Sequence, residues 1–189
     1  MSRRFFTIGH SNRSAEEFIA LLSAAEIRLL ADIRKIPRSR ANPQFNEDTL
    51  PDALAGVGIS YEHIAALGGR RAKARTVAPE VNGFWTHQSF HNYADYALST
   101  EFELGLERLI EQGQHRRCAV MCSEAVWWRC HRRIVTDHLI VRGETVFHIM
   151  GQNRLEPAKL TSGAVTQPGN RVVYPTQDRT VIWNEDPTP

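Results

Sequence analysis

Apolar and polar positions along this chain switch between a strand-like and a helix-like period, and the switches mark its elements. Phe5 to Ile8 is a short apolar-type run closed by Gly9-His10-Ser11, which predicts a buried strand. Ser14 and Glu17 follow at capping-box spacing, and Phe18, Leu21, Leu22 and Ala25 then share one helical face. Ile27 to Ile33 predicts a second strand, with Asp32 and Arg34 at its exit, two positions apart and so on one side while the strand lasts. Residues 35–46 read as loop, Asp48 to Ala55 as a short helix and Ile59 to Ile64 as a third strand. A long irregular stretch opens at Leu67-Gly68-Gly69-Arg70 and carries Arg71, Lys73 and Arg75; a connection of that length is more often functional than idle.

The second half repeats the alternation. A helix is predicted over Phe90–Leu98, and another after a capping box of Thr100 and Glu103, with Phe102, Leu106, Leu109 and Ile110 inward and Gly113 as its stop. Cys118 to Cys122 is the fourth strand. A helix over Trp127–Val141 would put Trp127, Cys130, Ile134 and Val141 on its inward stripe, and Thr145 to Met150 is the fifth strand. Strands alternating with helices predict an α/β fold: a mostly parallel, open, Rossmann-like sheet of five strands covered by helices, with 3-2-1-4-5 as the natural strand order. Residues 1–150 form this single domain, and residues 151–189 form an irregular extension packed on it, with a short hairpin through Arg171–Tyr174 and Val181–Trp183.

Composition adds little to that picture. The 189 residues are 42% hydrophobic and 23% charged, with a formal net charge of +2, which is too weak to argue for nucleic-acid binding by global charge. The three cysteines, Cys118, Cys122 and Cys130, are too few and too odd for a disulfide scaffold, and no stretch reaches membrane-spanning length. A cytoplasmic protein with no membrane partner is the expectation.

Chemistry concentrates between residues 122 and 132. Cys122, Glu124, Cys130, His131 and Arg132 are costly to order and bury unless they pair or react. In open parallel sheets ligands bind beyond the carboxyl ends of the strands, where strand order reverses. The expected order sets the first strand beside the fourth, which brings His10 and Ser11 next to Cys122 and Glu124, with Asp32 and Arg34 leaving the same edge. Cys122, just before a helix start and near Arg129 and Arg132, is read as a thiolate nucleophile, with Glu124 or His10 moving protons. The plainer alternative is a small apolar side chain at a strand end. Ser11, Asp32, Arg34, Arg38, Arg40 and Arg132 would bind an anion, Asp32 by orienting an arginine or the substrate. Cys122, Cys130, His131 and His10 could together hold a transition metal such as zinc, although their spacing matches no standard pattern and Cys130 alone reads as packing.

Five groups of residues carry a family resemblance. They are Thr7-Ile8-Gly9-His10-Ser11; Asp32-Ile33-Arg34 with Pro37-Arg38-Ser39-Arg40; Tyr61-Glu62-His63 with Leu67-Gly68-Gly69; Tyr93-Ala94-Asp95-Tyr96; and Met121-Cys122-Ser123-Glu124 with Cys130-His131-Arg132. In this order they resemble the bacterial family called domain of unknown function 488, across most of the first 150 residues. This chain departs from the family pattern in having Ser123 between Cys and Glu, and Val126 and Trp127 in place of a proline-containing run. The resemblance implies an α/β fold and a cytoplasmic bacterial protein, and no activity. Asp32-Ile33-Arg34 is also similar to the Asp-Val-Arg segment of rhodanese domains, an analogy of one segment.

The leading expectation is therefore an enzyme with a small anionic, phosphorylated or nucleotide-like substrate. A nucleic-acid-binding or repair-associated module using the arginine loops and Trp128 is the alternative, and a non-catalytic ligand sensor is the third reading.

Overall fold

The structure, a computed structural model, describes residues 4–176. Strand β1 spans Arg4–Gly9 and is buried on both faces beyond its first residue, as expected of an interior parallel strand. Helix α1 covers Ala15–Ala24; the Ser14 hydroxyl accepts from the Glu17 amide at 3.1 Å, while the Glu17 carboxylate pairs with Arg13 instead of closing the capping box. Strand β2 is Leu29–Asp32, helix α2 Leu50–Ala55 and strand β3 Ser60–His63. Helices α3, Gln88–Tyr96, and α4, Thr100–His115, precede strand β4, Cys118–Cys122. Helix α5 is Arg132–Val141 and strand β5 Thr145–Gly151, followed by strands β6, Arg154–Pro157, β7, Val165–Gln167, and β8, Arg171–Val173.

The α/β class holds, with a sixth strand. The sheet runs β3-β2-β4-β1-β5-β6, its first five strands parallel and β6 antiparallel to β5. β1 and β4 are neighbours as expected but exchange places relative to the 3-2-1-4-5 order. Both orders send the chain outward through β2 and β3 and back through β4 and β5, so connectivity alone does not choose between them. The five residues of β4 are all buried, which suits the most enclosed slot in the sheet. Phe18, Leu21 and Leu22 of α1 with Leu50 and Leu54 of α2 cover one face. Phe102, Leu106 and Leu109 of α4 with Ile134, Val135 and Leu139 of α5 cover the other.

Four local expectations change. Helix α4 is capped one residue early, by the Ser99 hydroxyl accepting from the Phe102 amide. It runs through Gly113, whose missing side chain makes room for the Phe5 ring, so this glycine is a packing residue rather than a stop. The expected helix over 127–141 is instead a 3-10 turn at Trp127–Arg129, an extended Cys130, and α5 from Arg132. Beyond residue 151, Arg171–Val173 does form a strand, but it pairs with β7; residues 181–183 lie outside the described residues. Val172 and Tyr174 enter the core, and the Tyr174 hydroxyl donates to Asp137 at 2.7 Å. Among the described residues no helix is long and apolar enough to cross a membrane.

The end of β1 depends on Gly9. A Cβ there would collide with the backbone carbonyl of Glu124, so glycine lets the loop after β4 lie directly on the strand end. Gly9→Ala is expected to lower stability by about 1–3 kcal/mol, the usual cost of overpacking a closed site. Gly56→Ala, where the nearest atom to a new Cβ is 3.5 Å away, should leave stability within about 1 kcal/mol of its starting value. Urea denaturation of the two variants checks the contrast.

Candidate functional site

The β1–β4 register pairs Gly9 with Cys122, and the ladder continues past both strands: His10 N donates to Cys122 O and Ser11 N to Ser123 O, each at 2.9 Å. His10, Ser11, Cys122, Ser123 and Glu124 therefore share one strand-end crevice, as the sequence predicts. The crevice is a cleft of about 630 Å³, to which Arg34, Lys35, Arg38, Gly69, Arg70, Tyr93, Arg129, Cys130 and His131 also contribute. Ser11 and Arg70 hold positive φ, 50° and 56°, in the left-handed region that side chains disfavour.

The loop from Ser123 to His131 turns back on itself, which sets Cys130 and His131 beside Cys122. The sulfurs of Cys122 and Cys130 and Nδ1 of His131 all lie within 4.8 Å of one another. His131 Nδ1 is 3.9 Å from the Cys122 sulfur and 3.7 Å from the Cys130 sulfur. Its Nε2–H donates to the Ile33 carbonyl at 3.0 Å, which assigns the proton to Nε2 and aims the Nδ1 lone pair at the thiols. The Tyr93 ring packs on this imidazole at 4.8 Å, and its hydroxyl donates to Leu67 O at 2.6 Å. Gly69 closes the other side; a Cβ there would stand 2.8 Å from Nδ1.

Arg132 is 2% exposed, and among the described residues no carboxylate pairs with it. Its Nη2 donates to Glu124 O at 2.6 Å, and its Nε and backbone N donate to the Cys130 sulfur at 3.3 and 3.4 Å. Burial pushes the Cys130 thiol up, but its hydrogen bond with Cys122 and the adjacent Arg132 outweigh burial and hold it at about 6. Cys122 moves the other way, to about 12, because its proton is shared with the Cys130 sulfur and because it is buried. Of the two thiols, Cys130 is the more acidic, on the side that Arg132 faces. The helix-start argument for a Cys122 thiolate fails because α5 begins at Arg132 and presents its first amide to Cys130. Arg132 likewise faces this sulfur and does not line the cleft.

Asp32 is fully buried and does orient an arginine. Its carboxylate accepts from Arg34 N at 3.0 Å, Arg34 Nε at 2.9 Å, Arg34 Nη2 at 2.5 Å and the Tyr61 hydroxyl at 2.7 Å. Arg34 Nη2 also reaches Phe45 O at 2.6 Å, which leaves Nη1 as the guanidinium's less engaged corner, 3.4 Å from His10 Nε2. Burial would lower the arginine's pKa, but the Asp32 hydrogen bonds outweigh it and raise it, so Arg34 is a fixed cation. Removing one member of such a buried pair costs about 3–5 kcal/mol.

His10 stacks on Phe45 with ring centres 4.3 Å apart and donates from Nδ1 to Ser11 O at 2.8 Å. Desolvation lowers its pKa to about 4, so at neutral pH it can accept a proton but holds none in reserve. Its Nε2 turns to Arg34, so His10 does not join the thiol group as a fourth metal ligand. Glu124 is exposed on the cleft wall. Arg38 is 60% exposed, pairs with Glu47 and Asp48, and reaches the cleft only at its rim. Arg40 does not line the cleft and lies instead in a separate shallow groove with Pro43 and Asn46.

Sequence reasoning missed Gly69, Tyr93 and the Ile33 carbonyl as supports of His131, and passed over Lys35 and Arg129 as cleft cations. The Gly68-Gly69 pair is the signal that could have pointed there, since paired glycines mark a close backbone approach. Trp127 stacks on His148 at 4.5 Å, while Trp128 is 45% exposed.

The fold and site define an α/β protein with a two-cysteine, one-histidine centre at the floor of a cation-lined cleft. A family model described as domain of unknown function DUF488 matches residues 14–139, and the chain belongs to that family. None of the curated proteins and none of the solved structures compared with it matches.

The left-handed backbone at Arg70 gives a direct test of strain beside the cleft. Arg70→Gly is expected to raise stability by about 1 kcal/mol, the lower end of the left-handed penalty for a side chain. Urea unfolding checks it; a loss of stability would show that the Arg70 side chain contributes more to the fold than its backbone costs.

Proposed function

We propose that this protein is an enzyme acting on a small anionic substrate, phosphorylated or nucleotide-like, in the strand-end cleft. The observation that carries this reading is the pairing of a buried Cys122–Cys130–His131 centre with a cleft lined by Arg34, Lys35, Arg38, Arg70 and Arg129 against one carboxylate, Glu124. Among the described residues no carboxylate pairs with Lys35, Arg70 or Arg129, so these side chains have charge to offer an anion. In this reading they draw the substrate in, and the Nη1 corner of Arg34 holds its inner oxygen in a charge-assisted hydrogen bond. The centre acts on the electrophilic atom, Glu124 moves protons at the cleft wall, and neutral His10 serves as a base.

A nucleic-acid module is the second reading, supported by the exposed Trp128 ring beside Arg129. The two readings separate in one screen. The full chain is incubated with phosphorylated and carboxylated small molecules, with nucleotides, and with single-stranded DNA and RNA; melting temperature reports binding and mass spectrometry reports conversion. The expected result is a small anion that stabilises the fold and is converted. Cys122→Ala and Cys130→Ala should retain the stabilisation and lose conversion, while Arg70→Gly should weaken binding by about tenfold, the factor for one charge-assisted contact. Binding without conversion by any compound would mark a sensor. Tight binding confined to nucleic acid, with a steep fall in salt, would replace the enzyme with the second reading.

A further inference from the structure

The Cys122–Cys130–His131 centre has features that thiol chemistry alone does not need. A single nucleophilic cysteine requires one sulfur and one base, whereas here two sulfurs and an imidazole nitrogen point at one another. His131 is held by a hydrogen bond from the nitrogen remote from the sulfurs to a backbone carbonyl, the second-shell device that fixes metal-ligating histidines. Gly69 removes the side chain that would press on Nδ1, and all three donors line the cleft.

We propose that Cys122, Cys130 and His131 bind a zinc-class divalent metal ion through their two sulfurs and Nδ1, leaving a fourth position open to the cleft. Tetrahedral zinc with ligand bonds of about 2.3 Å to sulfur and 2.0–2.1 Å to nitrogen sets its donors about 3.6–3.8 Å apart. The two sulfur–nitrogen separations, 3.7 and 3.9 Å, are already close to this. The sulfurs lie within 4.8 Å of each other, so a side-chain shift of about 1 Å at most brings the set to bonding distance.

The charge balance also fits. Both sulfurs bind as thiolates, their protons released to solvent on binding, and two thiolates neutralise a divalent ion. Arg132 donates to the Cys130 sulfur from outside the donor set, as an outer partner to the ligand. Three protein ligands with an open fourth position is the pattern of a catalytic site rather than a closed structural one. In that position the ion would bind a water or an oxygen of the anionic substrate. The inference builds on the enzymatic reading of the same cleft, by naming the agent at its floor.

Cobalt titration of the reduced, metal-stripped full chain tests it, with zinc competition as the second arm. The expected result is one cobalt per chain, with thiolate-to-cobalt charge transfer and the intense visible bands of tetrahedral geometry, displaced by one zinc. Cys122→Ser, Cys130→Ser and His131→Gln should each weaken binding by at least about tenfold. Cys118→Ala, in the core of β4, should leave it unchanged. Gly69→Ala changes no ligand and should weaken binding by crowding Nδ1, so the test survives misfolding of a cysteine variant.

No cobalt spectrum in the wild-type chain would overturn the site, as would a spectrum kept by Cys122→Ser and Cys130→Ser together. Inorganic phosphate binding, followed in the same samples, separates the two readings. Phosphate bound without metal would sink the metal site and spare the anion cleft, whereas metal bound without phosphate or any conversion would do the reverse.

Discussion

A guanidinium buried without a carboxylate is an expensive object, and the Arg132 side chain is one. It survives because two partners take its donors: the Glu124 carbonyl and the Cys130 sulfur. Those partners lie at opposite ends of the loop between β4 and α5, so satisfying the arginine folds the loop back on itself. The return brings Cys130 and His131 to Cys122 and sets the Cys130 thiol against a cation that lowers its pKa. Gly9 permits the same closure from below, since the Glu124 carbonyl that Arg132 grips lies where any other residue at position 9 would place a Cβ. The two-cysteine, one-histidine group is thus a consequence of one buried charge seeking compensation.

A buried ion pair shapes the rest of the cleft. Asp32 and Arg34 leave β2 on the same strand end, and Tyr61 from β3 completes the carboxylate's partners. Because Asp32 is sealed behind it, Arg34 presents only the Nη1 corner, next to a neutral His10. The cleft is cationic at its mouth, where Lys35, Arg70 and Arg129 lie, and more nearly balanced at its floor. That gradient fits the proposal of an anionic ligand drawn toward the thiol group.

Much of this was legible in the sequence where local rules decide. The Cys118–Cys122 strand, the Ser14 cap and the adjacency of His10 to Cys122 follow from apolar runs, capping chemistry and strand-end topology. The sheet order was not legible, because the exchange of β1 and β4 leaves the pattern of connections intact. The start of α5 was misread because Trp127 to Val141 has a helical stripe, and nothing local announces that Cys130 is extended. Tertiary need decides that point: Cys130 must turn toward Arg132 and Cys122. Gly113 was misread for the same reason, as its role is set by the Phe5 ring and not by its own helix. The pairing of Asp32 with Arg34 was within reach, whereas the seating of Arg132 on Cys130 required the loop's return path.

Arg132 holds the more acidic thiol of the pair, Cys130, beside Cys122. Oxidation of the reduced, metal-free chain with limiting diamide tests this placement, with the bond located by peptide mass mapping. Each event consumes two thiols and one diamide and begins at the thiolate. The expected product has one intramolecular bond, Cys122–Cys130, with Cys118 left reduced. Formation is expected to be about tenfold slower in Arg132→Gln, because a charge-assisted hydrogen bond to the thiolate is lost. A bond to Cys118, or equal rates in the wild type and a folded Arg132→Gln, would contradict this placement.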